Sequence, residues 1–170
     1  MSVLSILQLD RHEFSKKDTS LRVSSKEVID FGESFQKKVD DLIETMKHHK
    51  IAIGLAAPQV EIPLKVSVIN LNETKTEPTL IIVNPKILST SGKKDKKKES
   101  CMSLPHYRGE VERKHKISIS YQDRFGKSRH LNAEGFLARV IGHEIDHLEG
   151  ILYIDKMEGL VDLESVDFFK

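Results

Sequence analysis

Residues 133–150 carry an apolar row, Phe136, Leu137, Val140, Ile141, Ile145 and Leu148, at the spacing of an amphipathic helix, with two histidines set into it. His143 and His147 extend the line Phe136, Val140 in steps of three and four. The spacing therefore predicts a helix that turns its imidazoles to the same side as its apolar residues. Gly150 follows as a C-terminal cap. Buried imidazoles need polar partners, so a helix of this kind belongs at the centre of a fold.

The rest of the chain supplies what would surround it. Phe31, Phe35, Val39, Leu42 and Met46 form an apolar stripe opposed by Lys37, Lys38, Asp40, Asp41 and Glu44, which predicts a first helix over 28–47. The stretch 51–60 is mostly apolar and dense in small residues without helical patterning. It should pass close to other backbone in the interior. Strands are expected over 65–71 and over 79–83, ending at Asn84-Pro85. A hairpin is expected from Ile117, Ile119 and Tyr121 through a turn at 123–127, returning over 128–131. The lysine run 93–98 reads as a solvated loop between strands, and 151–154 as a short apolar strand or edge segment. The tail from Glu158 reads as a short helix or a frayed end. The class is α+β: a single domain over 1–170, antiparallel or mixed sheets packed around the central His-Glu-x-x-His helix, with 158–170 a mobile tail.

Composition narrows the function. The chain has 170 residues, a length that suits one core. Lysine plus arginine number 27 against 26 acids, a net charge of +1 that offers nucleic acid no global field, and the lysine run has no interleaved aromatics. No apolar run approaches the roughly 18 residues of a membrane span, and the N-terminus lacks the basic and unbroken apolar regions of a signal peptide. Cys101 is the only cysteine, so no intrachain disulfide can form. A cytoplasmic protein without direct nucleic-acid or membrane binding is expected.

The chemistry centres on His143-Glu144-Ile145-Asp146-His147. Histidines four apart stand one turn from each other and can converge on one metal ion. Glu144 lies about 100° round the helix from His143, where it can reach a water at that ion without being a ligand. This is the arrangement for metal-assisted hydrolysis. The pattern alone arises as readily by chance on a surface helix. Its place on the apolar row favours a site. A catalytic site wants a third protein ligand and an open position. No histidine follows His147, and Glu149, Glu158 and Glu164 lie in no ligand-like context. A lone cysteine is more often a small buried hydrophobe. Cys101 in Glu99-Ser100-Cys101-Met102-Ser103 is nevertheless the expected third ligand.

These residues carry a resemblance. The chain resembles the peptide deformylases through three segments in family order: Gly54-Leu55-Ala56-Ala57-Pro58-Gln59, Glu99-Ser100-Cys101-Met102-Ser103, and Gly142-His143-Glu144-Ile145-Asp146-His147-Leu148-Glu149-Gly150. Asn84-Pro85, Val111-Glu112-Arg113 and Ala133-Glu134-Gly135 are also similar. The resemblance implies removal of the N-formyl group from the formylmethionine of nascent polypeptides, close to the ribosome. It implies one divalent metal on Cys101, His143 and His147, natively Fe²⁺, with Zn²⁺, Ni²⁺ or Co²⁺ as substitutes. Glu144 would be the general base and then acid, with Gln59 and the backbone N–H of Met102 stabilising the oxyanion. Ile53, Gly54 and Leu55 would pair with the substrate backbone.

Three positions depart from the family pattern. Ala52 and Ser100 replace glycines, and Gly142 replaces a glutamine before the first histidine. A left-handed backbone at Ala52 would be strained. Ser100 could crowd the substrate path or add a hydrogen bond, and Gly142 adds a flexible point in a helix at about 1 kcal/mol against alanine. The alternatives are a metallopeptidase, disfavoured by the missing downstream ligand, and a decayed metal-binding module of the same fold. A purely structural metal would need neither Glu144 nor Gln59.

Overall fold

A computed structural model describes residues 1–72 and 78–157 and the backbone of 164–165. Helix α1 spans Glu33–His48, followed by the short strand β1 (Gly54–Ala56), a 3-10 turn at Ala57–Val60 and β2 (Val66–Ile69). Two long strands come next, β3 (Leu80–Cys101) and β4 (Leu104–Gln122), then β5 (Ser128–Glu134), helix α2 (Gly135–Leu148) and β6 (Glu164–Ser165). The strands form one antiparallel sheet in the order β1-β2-β3-β4-β5, with β6 pairing to β4 at Tyr107 and Arg108. The α+β class holds. Among the described residues the sheet is single and antiparallel, and an isolated parallel bridge joins Lys26 and Leu64 outside it.

Helix α1 starts later than its apolar stripe suggests. The Asn84 side chain accepts a hydrogen bond from Val28 N and donates one to Val28 O, both at 2.8 Å, so that residue is tied into extended structure. Asp30 Oδ1 then accepts from Gly32 N, the N-cap, and the helix follows. Phe35, Val39, Leu42 and Met46 are buried against Leu55, Val66 and Val68. Helix α2 likewise starts two residues after the expected position. Ala133 still pairs with Ile117 in β5, and Gly135 turns the chain at φ +63°. Ala138, Ile141 and Ile145 pack with Ile69, Ile82, Ile117 and Ile119, which clamps α2 onto the sheet.

Two expectations fail in the strands. Strand β3 does not end at Asn84-Pro85; a register shift between Val83 and Lys86 absorbs the proline, and the strand continues through the lysine run. Lys94, Lys96, Lys97 and Lys98 pair with Lys114, Glu112, Val111 and Glu110 of β4. The side chains are solvated as expected while the backbone is laddered, and Lys94 reaches Glu112 at 2.5 Å. The segment 151–154 is not a strand either. Asp155 Oδ2 accepts from Leu152 N, nucleating a 3-10 turn at Tyr153–Lys156. The tail 158–170 lies outside the described residues except for the backbone of Glu164–Ser165. Among the described residues, no helix is long and apolar enough to cross a membrane.

Candidate metal centre and active site

The end of β3 and the last two turns of α2 meet at one point. Cys101 Sγ lies 3.3 Å from His147 Nε2, which lies 3.2 Å from His143 Nε2, and the three ligand atoms fall within 4.8 Å of one another. Cys101 and His147 are buried. A sulfur and two imidazole nitrogens facing one another inside the protein form a donor set for a divalent cation, and a cation relieves the crowding of lone pairs. The residues fit the metal that the resemblance implies.

Burial works against charge on both rings. In His147 it prevails, helped by the neighbouring His143, and holds the ring neutral. In His143 the Cys101 sulfur and the Glu99 carboxylate override it and push the pKa up. Glu99 accepts from His143 Nδ1 at 3.0 Å, which aims Nε2 at the sulfur. Burial alone would raise the Glu99 pKa, but Arg113 and His143 hold it well below the usual carboxylate range. Arg113 donates to both Glu99 oxygens at 2.6 and 2.9 Å and to Asp146 at 2.8 Å, and Arg139 adds a contact to Glu99 at 2.7 Å.

This ionic support was not legible as a site in the sequence. Arg113 and Arg139 stand 14 and 40 residues from Glu99. Their one signal is strand parity: Asp95, Lys97 and Glu99 share the face of β3 that pairs with Arg113, Val111 and Gly109 of β4. Tyr153, stacked on His143 at 6.2 Å, and Ser103, within 3.2 Å of Gln59, were also missed as neighbours of the site.

Glu144 is buried beside the cluster, with Oε2 lacking any hydrogen-bond partner. Burial pushes its pKa up to about 7, only partly offset by His143 and Arg113. A carboxyl with that affinity can take a proton and give it back near neutral pH. Its side chain lies against Gly54. Gln59 is buried, its Oε1 accepting from Ala56 N at 2.9 Å while Nε2 points at Cys101 Sγ (3.3 Å) and Ser103 Oγ (3.2 Å). The amide is therefore fixed by backbone on one side and presents its donor to the cluster on the other.

A cavity of about 930 Å³ opens onto this cluster. Ile53, Gly54, Gln59, Cys101, Met102, His143 and Glu144 all line it. Leu55 is fully buried in the core and does not line it, so the structure does not bring it to the cavity with Ile53 and Gly54. Phe136, placed by the sequence on the inward row, is 55% exposed and stands in the cavity wall, because the first turn of α2 projects beyond the packed core.

The three departures are accommodated. Ala52 has no left-handed backbone and is buried without strain. Ser100 is exposed on the cavity wall. A Cβ at Gly142 would lie 3.2 Å from Arg113 Nη1, so the glycine leaves room for the guanidinium.

Comparison with known proteins agrees with this geometry. The sequence model described as polypeptide deformylase matches residues 12–162. A peptide deformylase of Bartonella tribocorum is 44% identical over 142 residues, covering 81% of this chain and 79% of the relative. Peptide deformylase 1 of Vibrio vulnificus is 42% identical over 160 residues, covering 94% and 89%. Among solved structures, a peptide deformylase from Legionella pneumophila superposes with a TM-score of 0.83 at 36% identity, covering 94% of this chain and 88% of that one. The Synechococcus elongatus peptide deformylase in complex with actinonin gives 0.84 at 34% identity, covering 93% and 82%.

Proposed function

The chain belongs to the polypeptide deformylase family and is a hydrolase that removes the N-formyl group from the formylmethionine of nascent polypeptides, and we propose how its own residues divide that work. Cys101, His143 and His147 hold the divalent metal. A cation bound there supplies Lewis acidity and brings the pKa of water toward neutrality. Glu144 accepts the proton as water adds to the formyl carbon. It then delivers that proton to the methionine nitrogen as the C–N bond breaks, leaving formate and a free amine. Gln59 Nε2 and the Met102 backbone N–H face the oxygen on which charge develops; one such donor is typically worth ~10²–10³ in rate. The free edge of β1 at Gly54, with Ile53 just before it, pairs with the substrate as an added strand.

One observation carries this assignment: Glu144 is buried, poised near neutrality, and has an unpartnered oxygen beside three convergent ligand atoms. A structural metal has no use for it. We assign Fe²⁺ as the native ion. The thiolate and imidazole donors support it and also suit Zn²⁺, Ni²⁺ or Co²⁺. Residues 1–170 act as one catalytic domain, in the cytoplasm and next to the ribosome where the substrate emerges.

The test is formate release from a short N-formylmethionyl peptide, using protein purified without oxygen and with its metal quantified. Release should vanish in Glu144→Ala while the metal stays bound. Release that persists in that variant removes Glu144 from the reaction.

A further inference from the structure

The cavity has two electrically different ends. Two carboxylates line it, Glu99 and Glu144, and both are buried. Glu99 is also committed to Arg113, Arg139 and His143. The exposed charges in the wall are Lys50 and Lys98. Among the described residues no acid pairs with Lys50, which sits in the turn after α1 beside His48 and His49. Lys98 stands opposite Glu110 in the β3–β4 register, so Lys50 is the stronger element.

The direction in which a peptide leaves the site follows from the fold. The formyl group belongs at the Gln59–Cys101–His143 end. Strand β1 is the last in the sheet order, so its outer edge is open. The chain runs back from Gly54 through Ile53 and Ile51 to Lys50. A peptide lying along that edge carries the residues after methionine away from Gln59 and past Ile51 and Lys50; Lys98 and Ser100 also line the cavity. Ile51 and Phe136, both more than half exposed, flank this exit and offer apolar contact to the residue that follows methionine.

We propose that the exit of this site selects formylmethionyl peptides with aspartate or glutamate within the first three residues after methionine, the carboxylate being held by Lys50 and assisted by Lys98. The inference rests on the deformylase reading of the site and names its substrate class. An exposed lysine–carboxylate pair contributes two- to fivefold at low ionic strength, on the order expected for surface ion pairs. Attraction of an acidic peptide and repulsion of a basic one at Lys50 together should separate the two by roughly five- to twentyfold.

The experiment compares kcat/KM for three N-formyl peptide amides, Met-Ala-Asp-Asp, Met-Ala-Ser-Ser and Met-Ala-Lys-Lys, with the metal-loaded full chain. The order should be acidic, neutral, basic, and the difference should lie in KM. It should shrink below twofold in 0.5 M salt, where the screening length is about 4 Å. Lys50→Glu should reverse the order, and Lys98→Glu should narrow it. Equal values for the three peptides, a preference for the basic one, or an acidic preference that survives both substitutions overturns the proposal and leaves the deformylase assignment standing. Formate release from none of the three overturns that assignment and this inference with it.

Discussion

Glu144 rests on the bare backbone of Gly54. An ideal Cβ at position 54 would lie 2.8 Å from Glu144 Cδ and nearer still to its Oε1. The glycine is there for space, since the strand imposes no left-handed conformation. Gly54→Ala should displace the carboxylate by about an ångström, and misplacement of that size can cost ~10² in rate. The expected result is kcat/KM down at least about a hundredfold, with bound metal unchanged and a melting temperature within a few degrees of the wild type. Wild-type activity in Gly54→Ala would show that the carboxylate position is not fixed by this contact.

Gly142 makes the opposite case to the one helix propensity makes. Alanine in a helix interior is favoured over glycine by about 1 kcal/mol. Here the added Cβ meets Arg113 Nη1 at 3.2 Å, and that guanidinium cannot retreat without loosening its bonds to Glu99 and Asp146. Gly142→Ala should therefore destabilise the protein, read as a lower denaturation midpoint at unchanged m-value. A higher midpoint would mean that the guanidinium moves aside freely.

Among the described residues Arg113 is the one cation shared by Glu99 and Asp146, with side chains 10%, 5% and 11% exposed. Removing one partner from a buried ionic group costs about 3–5 kcal/mol because the remaining charge is left unpaired. Arg113→Met should lose stability on that scale by chemical denaturation. It should also slacken His143, whose Nδ1 depends on Glu99, so metal affinity should fall about 10- to 100-fold. An Arg113→Met protein with wild-type stability would show that Arg139 at Glu99 and Lys156, whose Nζ lies 2.7 Å from Asp146 Oδ1, suffice to neutralise both acids.

The lysine run divides the two structural readings sharply. Were 93–98 a solvated tip, its amides would exchange at the rate of an unstructured chain. In the ladder with 110–114, alternate amides are bonded across to β4. Hydrogen exchange on the intact protein should show protection among residues 94–98 comparable to that at 117–121. Uniformly fast exchange there would return the segment to a loop.

What was legible in the sequence was what depends on local spacing. The His143–Glu144–His147 triplet announces itself because four residues of helix place two rings on one face, whatever the surroundings. Cys101 could be argued from the residues by elimination and otherwise through the family resemblance, and its proximity to His147 is a product of the sheet that ends there. The lysine run misled because composition reports solvation of side chains and not pairing of backbone. A long partner strand, 104–122, satisfies those backbone groups while the side chains stay in water. The end of the 79–83 strand was misplaced because Pro85 can be absorbed at a register shift, where its missing N–H leaves no unpaired acceptor. The Glu99–Arg113–Asp146 system left only strand parity as a signal, because each contact spans two elements and the register between β3 and β4 is not written in either strand alone.

The three proposed ligand residues come from two elements, Cys101 from the end of β3 and both histidines from α2, so a cation bound by them would tie the sheet to the helix. A ligand that binds only the folded state stabilises it by about 2.7 kcal/mol at a hundred times its dissociation constant. For a chain of this size, that corresponds to a melting temperature several degrees higher. Stripping the metal with a chelator should lower the transition by that amount, and adding Fe²⁺ without oxygen, or Zn²⁺, should restore it. Without a cation, two imidazole nitrogens and a sulfur remain crowded within 4.8 Å. Part of the loss should therefore vanish in His147→Ala, which removes the crowding and the binding together. The decisive comparison is the metal-dependent shift in that variant: close to zero if Cys101, His143 and His147 form the centre, and of wild-type size if the cation binds elsewhere.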